Sequence, residues 1–119
     1  MAEAKERKLP NANKKRSRNT AQMCENMTYS GKEAFKRLRT NTQLALSDDP
    51  EIGCHVIGVT SAQPSEGKSS VSVNLAYSFA ELGKKVLLID CDMRRPSIHS
   101  KLGFELSPGL SDFICHLFT

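Results

Sequence analysis

The chain has 119 residues and a net charge of +4 at neutral pH, with 39% hydrophobic and 25% charged residues. That length is about one small domain on the usual scale of roughly 100–200 residues. Because no run approaches the roughly 20 apolar residues of a membrane span, and no apolar core follows the basic start as in a secretory signal, a cytoplasmic location is expected.

Residues 1–28 lack apolar periodicity and concentrate Lys, Arg, Asn, Gln and Thr, a composition that buries too little surface to offset the entropy of ordering. They are expected to form a disordered basic tail. Its first eighteen residues hold seven cations, Lys5, Arg7, Lys8, Lys14, Lys15, Arg16 and Arg18, against Glu3 and Glu6, an excess of five. Since the whole chain carries +4, the remainder sums to −1, and the folded part is not basic. Nucleic-acid binding is therefore not expected. The tail itself could be drawn to an anionic membrane surface or an acidic partner, or be merely solvated. The four cysteines, Cys24, Cys54, Cys91 and Cys115, form no C-x-x-C pair and are expected to be free thiols in a reducing compartment.

Order is predicted from Ser30, where Ser30-Gly31-Lys32-Glu33 fits a capping box opening a helix with Phe35, Leu38, Thr42 and Ala45 on one stripe. Asp48-Asp49-Pro50 ends it. Cys54–Thr60, CHVIGVT, is apolar, β-branched and short, the pattern of a buried parallel strand. Ser61–Gly67 is a loop by composition. Lys68–Leu82 then places Val71, Leu75, Phe79 and Leu82 on one helical face, with Gly83 as a left-handed stop. Val86–Ile89 is a second buried strand ending at Asp90, which completes a right-handed βαβ unit. Beyond Pro96 the signal weakens to a short helix near Ser97–Leu102 and a turn at Pro108-Gly109. The fold class implied is α/β, a P-loop NTPase-type parallel sheet with flanking helices. It is incomplete, with about two strands, and occupies residues 29–119.

The loop between the first strand and helix ends Ser65-Glu66-Gly67-Lys68-Ser69-Ser70. Glycine lets backbone N–H groups approach a phosphate at the helix start, a lysine reaches the β/γ-phosphates, and a serine hydroxyl ligates Mg²⁺. Ala62 occupies the first glycine position of the usual GxxxxGK[ST] pattern, so the letters alone also fit an ordinary turn with a surface lysine. The strand before and the helix after favour the phosphate site. Asp90 and Asp92 stand just past the carboxyl end of the second strand, the edge of a parallel sheet where ligands bind, and alternation points them the same way with Cys91 opposite. One carboxylate could hold Mg²⁺ or its water and orient Lys68 while the other accepts a proton from an attacking hydroxyl. A solvated D-x-D loop is the competing reading.

Taken together, the apolar strand, the loop ending in EGKS, and LLIDCDMRRP resemble the Walker A and Walker A′ motifs of the bacterial tyrosine kinases of capsule and exopolysaccharide synthesis. EAFKRLRTN at 33–41 is similar to the E-x-x-R-x-x-R helix of that family, and Pro108-Gly109-Leu110-Ser111-Asp112 to its PGLSD stretch, so the likeness covers roughly residues 30–114. The resemblance implies an ATP- and Mg²⁺-dependent protein-tyrosine kinase. It makes Lys68 the phosphate-binding lysine and Ser69 the metal ligand, with Ser65, Glu66 and Gly67 as backbone donors and Ser70 in the same nucleotide-binding stretch. Asp90 and Asp92 take the metal and catalytic roles. Arg94 and Arg95 either help position phosphate or lie in solvent. Glu33, Lys36 and Arg39 match the helix used for homo-oligomeric packing, Lys36 standing where arginine is usual, which loses the planar fork. A transmembrane polysaccharide co-polymerase that activates the kinase at the inner membrane face is the implied partner.

The chain also departs from that family. Ser65 replaces a common loop glycine, tolerable only if its φ is negative. No Walker B strand follows Asp92, no carboxyl-terminal tyrosine cluster is present, and Tyr29 and Tyr77 are the only tyrosines. The last residues, Ile114–Thr119, leave the family pattern. These features suggest a truncated or frameshifted product, poorly stable and weak or inactive by itself. Two other readings stand beside the kinase: a partitioning or positioning ATPase, which usually carries a second loop lysine where Gln63 stands, and a noncatalytic fragment that binds a partner or membrane through its first helix and tail.

Overall fold

The computed structural model describes residues 26–46 and 51–117. The predicted tail lies almost wholly outside the described residues, as do Cys24 and the Asp48-Asp49-Pro50 break. The element order is α1 (Tyr29–Ala45), α2 (Lys68–Ala80), α3 (Ile98–Leu102) and α4 (Leu110–Leu117).

The first helix starts earlier than the capping box predicts. Thr28 is the N-cap, its Oγ1 accepting the Gly31 N–H at 3.3 Å, and Ser30 lies inside the helix. Capping at Thr28 adds helical residues and frees Glu33, whose carboxylate accepts from Lys36 Nζ at 2.9 Å one turn on. Its hydrogen bond to Glu33, and then the Glu33 charge, raise the Lys36 pKa above the ordinary lysine value. Pairs spaced i,i+3 face each other on a helix.

The second helix matches the sequence expectation closely. It begins after Gly67, ends at Ala80, and is stopped by Gly83 at φ 74°. Its buried residues are Val73, Asn74, Leu75 and Ser78: of the predicted stripe Val71, Leu75, Phe79 and Leu82 only Leu75 is buried, so the packed face is rotated from the expected one. The two buried polar side chains are satisfied by their own helix: Asn74 Nδ2 donates to Ser70 O at 2.8 Å and Ser78 Oγ to Leu75 O at 2.7 Å. Such local bonds let polar side chains sit in an apolar contact without a desolvation penalty.

Helices α1 and α2 pack together. The last carbonyls of a helix have no partner within it, and here Leu82 N–H turns back to Phe79 O, so that Ser78 O is left to a donor from outside. Arg39 Nη1 supplies it at 2.6 Å. Thus the arginine that the resemblance marks for packing between molecules is turned inward, onto its own chain.

Neither apolar run is assigned as a strand, and no strand is assigned among the described residues. Val56 is 90% exposed and Leu87 83%, where a buried strand was expected. Buried apolar residues among the described ones come down to Val73 and Leu75. A parallel strand is buried only when neighbours pair along both edges and helices cover both faces, and the two main helices spend their contacts on each other. The predicted short helix after Ser97 is present as α3, with Gly103 left-handed at its end. The segment after Pro108, predicted only as a turn, continues into α4. Asp112 organises that start, accepting from Gly109 N at 2.7 Å and Ser107 Oγ at 3.2 Å, as an acidic group in a first turn should.

Replacing Arg39 with alanine removes a charge-assisted hydrogen bond to a helix-end carbonyl and should lower stability by about 1.5–3 kcal/mol. Lys36→Ala breaks only an exposed pair and should cost clearly less. Urea unfolding followed by circular dichroism measures both; equal losses would remove Arg39 from its helix-joining role.

Candidate functional site

The loop before α2 is shaped by two left-handed residues. Ser65 has φ 64° and Gly67 φ 90°. A Cβ on Gly67 would meet nothing within 4 Å, so glycine is required there by its φ and not by space. Ser65 is the opposite case, a residue with a Cβ held where the L configuration costs about 1–2 kcal/mol. The loop offsets this with internal bonds: Gln63 N donates to Glu66 Oε2 at 3.2 Å and Ser61 Oγ to Gln63 O at 2.9 Å. Gly67 provides no side-chain cap for α2. The first-turn N–H groups are thereby left for an anion, at the end where the helix dipole also favours negative charge.

Two polar groups at the start of α2 meet the segment from Asp90 to Ser97. Lys68 Nζ lies 3.6 Å from Asp92 Oδ2, both side chains about two-fifths exposed. Ser69 Oγ lies 2.7 Å from Ser97 Oγ. Asp90 accepts the Asp92 N–H on Oδ1 at 3.1 Å, and the Ser97 and Ile98 N–H groups on Oδ2 at 3.1 and 3.2 Å. The two aspartates therefore do different work. Asp90 gathers the backbone of its own segment, while Asp92 faces the lysine.

Asp92 also accepts the Arg95 N–H on Oδ1 at 3.0 Å. That bond first, and the Lys68 ammonium after it, hold the Asp92 carboxyl below the ordinary carboxylate range. A carboxylate so stabilised is a strong charge partner and a weak proton acceptor.

The structure brings Lys68, Ser69, Asp90 and Asp92 to one place, with Ser65, Glu66 and Gly67 in the adjoining loop. Ser70 lies in the first turn, where its carbonyl accepts from Asn74. Arg94 and Arg95 are exposed. Ser97 joins the group although the sequence marks it only as the start of a short helix. No cluster of three or more His, Cys, Asp or Glu side chains exists among the described residues. Mg²⁺ does not need one, because it takes one or two protein oxygens and completes its shell with water and phosphate. The Ser69 hydroxyl and the Asp92 carboxylate are hard oxygen donors of that kind. They fit the ion.

Comparison with known proteins adds the following. A P-loop family model, ParA, described as NUBPL iron-transfer P-loop NTPase, matches residues 54–112. Tyrosine-protein kinase YwqD of Bacillus subtilis (strain 168) is 38% identical over 104 residues, 87% of this chain and 42% of YwqD. The EpsB protein of Ralstonia solanacearum is 44% identical over 82 residues, 69% of this chain and 10% of EpsB. Tyrosine-protein kinase wzc of Salmonella typhimurium is 40% identical over 82 residues, 69% of this chain and 11% of that protein. The chain thus spans less than half the length of these relatives. No solved structure matches it. No helix among the described residues is long and apolar enough to cross a membrane.

Two outcomes are expected. Ser65→Gly should raise stability by about 1–2 kcal/mol by relieving the left-handed serine, measured by urea unfolding; an unchanged or lower midpoint would show that the loop imposes no strain there. Because the Asp92 pKa is lowered on folding, its stabilising contribution is present above about pH 4 and is lost as pH falls through the folded value. Asp92→Asn should therefore be less stable than wild type near pH 7 and converge with it in acid.

Proposed function

We propose that this chain, a homologue of the bacterial tyrosine-protein kinases with a ParA-type P-loop NTPase domain, binds Mg-ATP in the turn before α2 and serves phosphoryl transfer to tyrosine. The observation that carries the reading is the meeting of Lys68 and Ser69 with Asp92 and Ser97 at the mouth of a glycine-bearing loop. A surface lysine on an ordinary turn has no need of a carboxylate and a second hydroxyl brought from 24 and 28 residues further along the chain.

In this reading Lys68 binds the β/γ-phosphates, and the N–H groups from Ser65 to Ser70 face their oxygens. Ser69 offers the hydroxyl to the cation. Asp92 keeps Lys68 oriented until nucleotide replaces it as the partner, then holds the cation or its water. Bound Mg²⁺ offsets the charge on the phosphate oxygens. Transfer would join a tyrosine oxygen to the γ-phosphorus as the bond to ADP breaks, with the phenolic proton passing to solvent. Such transfer is loose and depends on positioning and charge more than on a base, which suits an Asp92 of lowered pKa. Asp90, with both oxygens taking backbone N–H groups, builds the segment that presents Asp92.

The finer reading follows the family resemblance: a role in polysaccharide synthesis or export, at the cytoplasmic face of the membrane, under a transmembrane partner. Self-assembly through α1 would use the half-buried Glu33 and the exposed Lys36, since Arg39 already holds α2. The partitioning-ATPase alternative shares the ParA-type domain, but Gln63 stands where its second lysine belongs.

Calorimetric titration with ADP and Mg²⁺ tests the phosphate site. Saturable binding is expected, weakened roughly 10- to 150-fold by Lys68→Met, as loss of a charge-assisted hydrogen bond implies. A folded wild-type chain that binds no nucleotide, or a mutant that binds as well, would sink the proposal. Transfer of phosphate from ATP to a tyrosine-containing peptide then separates a kinase from an ATPase.

A further inference from the structure

We infer that Ser97 is a positioning residue for Ser69, holding its hydroxyl so that the oxygen lone pairs are free for a divalent cation; the inference rests on the Mg-nucleotide reading of the site.

The argument begins with what a serine before a helix ordinarily does. Ser97 is the N-cap of α3, a position where serine is favoured because its oxygen accepts an N–H from the first turn. Here it makes no such bond. Asp90 Oδ2 takes the N–H groups of Ser97 and Ile98 instead. Relieved of capping, the Ser97 hydroxyl reaches across to Ser69 Oγ at 2.7 Å, in a part-buried contact between residues 28 apart in sequence. That distance is the mode for a hydroxyl pair.

A neutral hydroxyl that ligates a cation keeps its proton, and the proton needs an acceptor on the side away from the metal. Ser97 Oγ is placed to be that acceptor. With the Ser69 proton directed to Ser97, the lone pairs of Ser69 Oγ are left for the cation. Groups that orient a ligand in this way typically tune metal affinity by 10- to 100-fold. The placement of Ser97 depends in turn on Asp90, which fixes the backbone on both sides of the Ser97–Ile98 peptide. Ser97 has no contact with phosphate or metal in this account. It acts through Ser69.

The test is the Mg²⁺ dependence of ADP binding by the full chain, followed with a fluorescent ADP analogue, for wild type, Ser97→Ala and Ser97→Thr. Ser97→Ala is expected to need roughly 10- to 100-fold more Mg²⁺ for half-maximal enhancement, with its affinity for metal-free ADP unchanged, and Ser97→Thr to restore the wild-type titration. A purely structural role would weaken metal-free binding as much as metal-dependent binding, and that result overturns the inference. So does a Ser97→Ala titration that superimposes on wild type while Lys68→Met abolishes binding, an outcome that leaves the phosphate site standing. Absence of nucleotide binding by the wild-type chain overturns both.

Discussion

The candidate site depends on the carboxylate of Asp90. Its two oxygens accept three backbone N–H groups, from Asp92, Ser97 and Ile98, and so fix the chain leaving the second apolar run. Every contact between that segment and the start of α2 follows from this. Asp92 is aimed at Lys68 because its own N–H is tied to Asp90 on one side and its Oδ1 to Arg95 on the other. Ser97 reaches Ser69 because Asp90 does its capping for it. A carboxylate accepting several N–H bonds is among the firmer local anchors available to a chain with a small core.

That dependence changes how a D-x-D motif is read. Strand alternation suggests two equivalent carboxylates pointing at one ligand. The hydrogen bonds separate them: Asp90 takes only backbone N–H groups, while Asp92 takes one and also faces the lysine. Substituting either would disturb the proposed site by a different route, Asp90 through the position of the whole 90–98 segment and Asp92 through its contact with Lys68.

Much of this was legible in the sequence where the signal is local. The GKS ending at a helix start, the extent of α2, the Gly83 stop and the short helix after Ser97 all follow from residue type and period, and each is found. The capping box failed because Thr28 and Ser30 are both good N-caps and only the length of helix gained decides between them. Ser65 could be seen as a departure, but whether its φ is positive depends on how the loop closes, which no pattern reports. The Ser69–Ser97 contact joins residues 28 apart and had no signal beyond a serine before a helix. The α4 segment carries Leu110, Phe113 and Leu117 at helical spacing over only eight residues, too short for periodicity to stand out from the turn before it.

The two apolar runs raise a matter that concerns the cell more than the site. Segments such as CHVIGVT and VLLI, β-prone and without a charge inside them, leave Val56 and Leu87 almost fully open to solvent. Sequences of that kind are what holdase chaperones bind and what other unpaired strands add to. For this polypeptide the lifetime after synthesis, and the partners recovered with it, would then be governed in part by protein quality control.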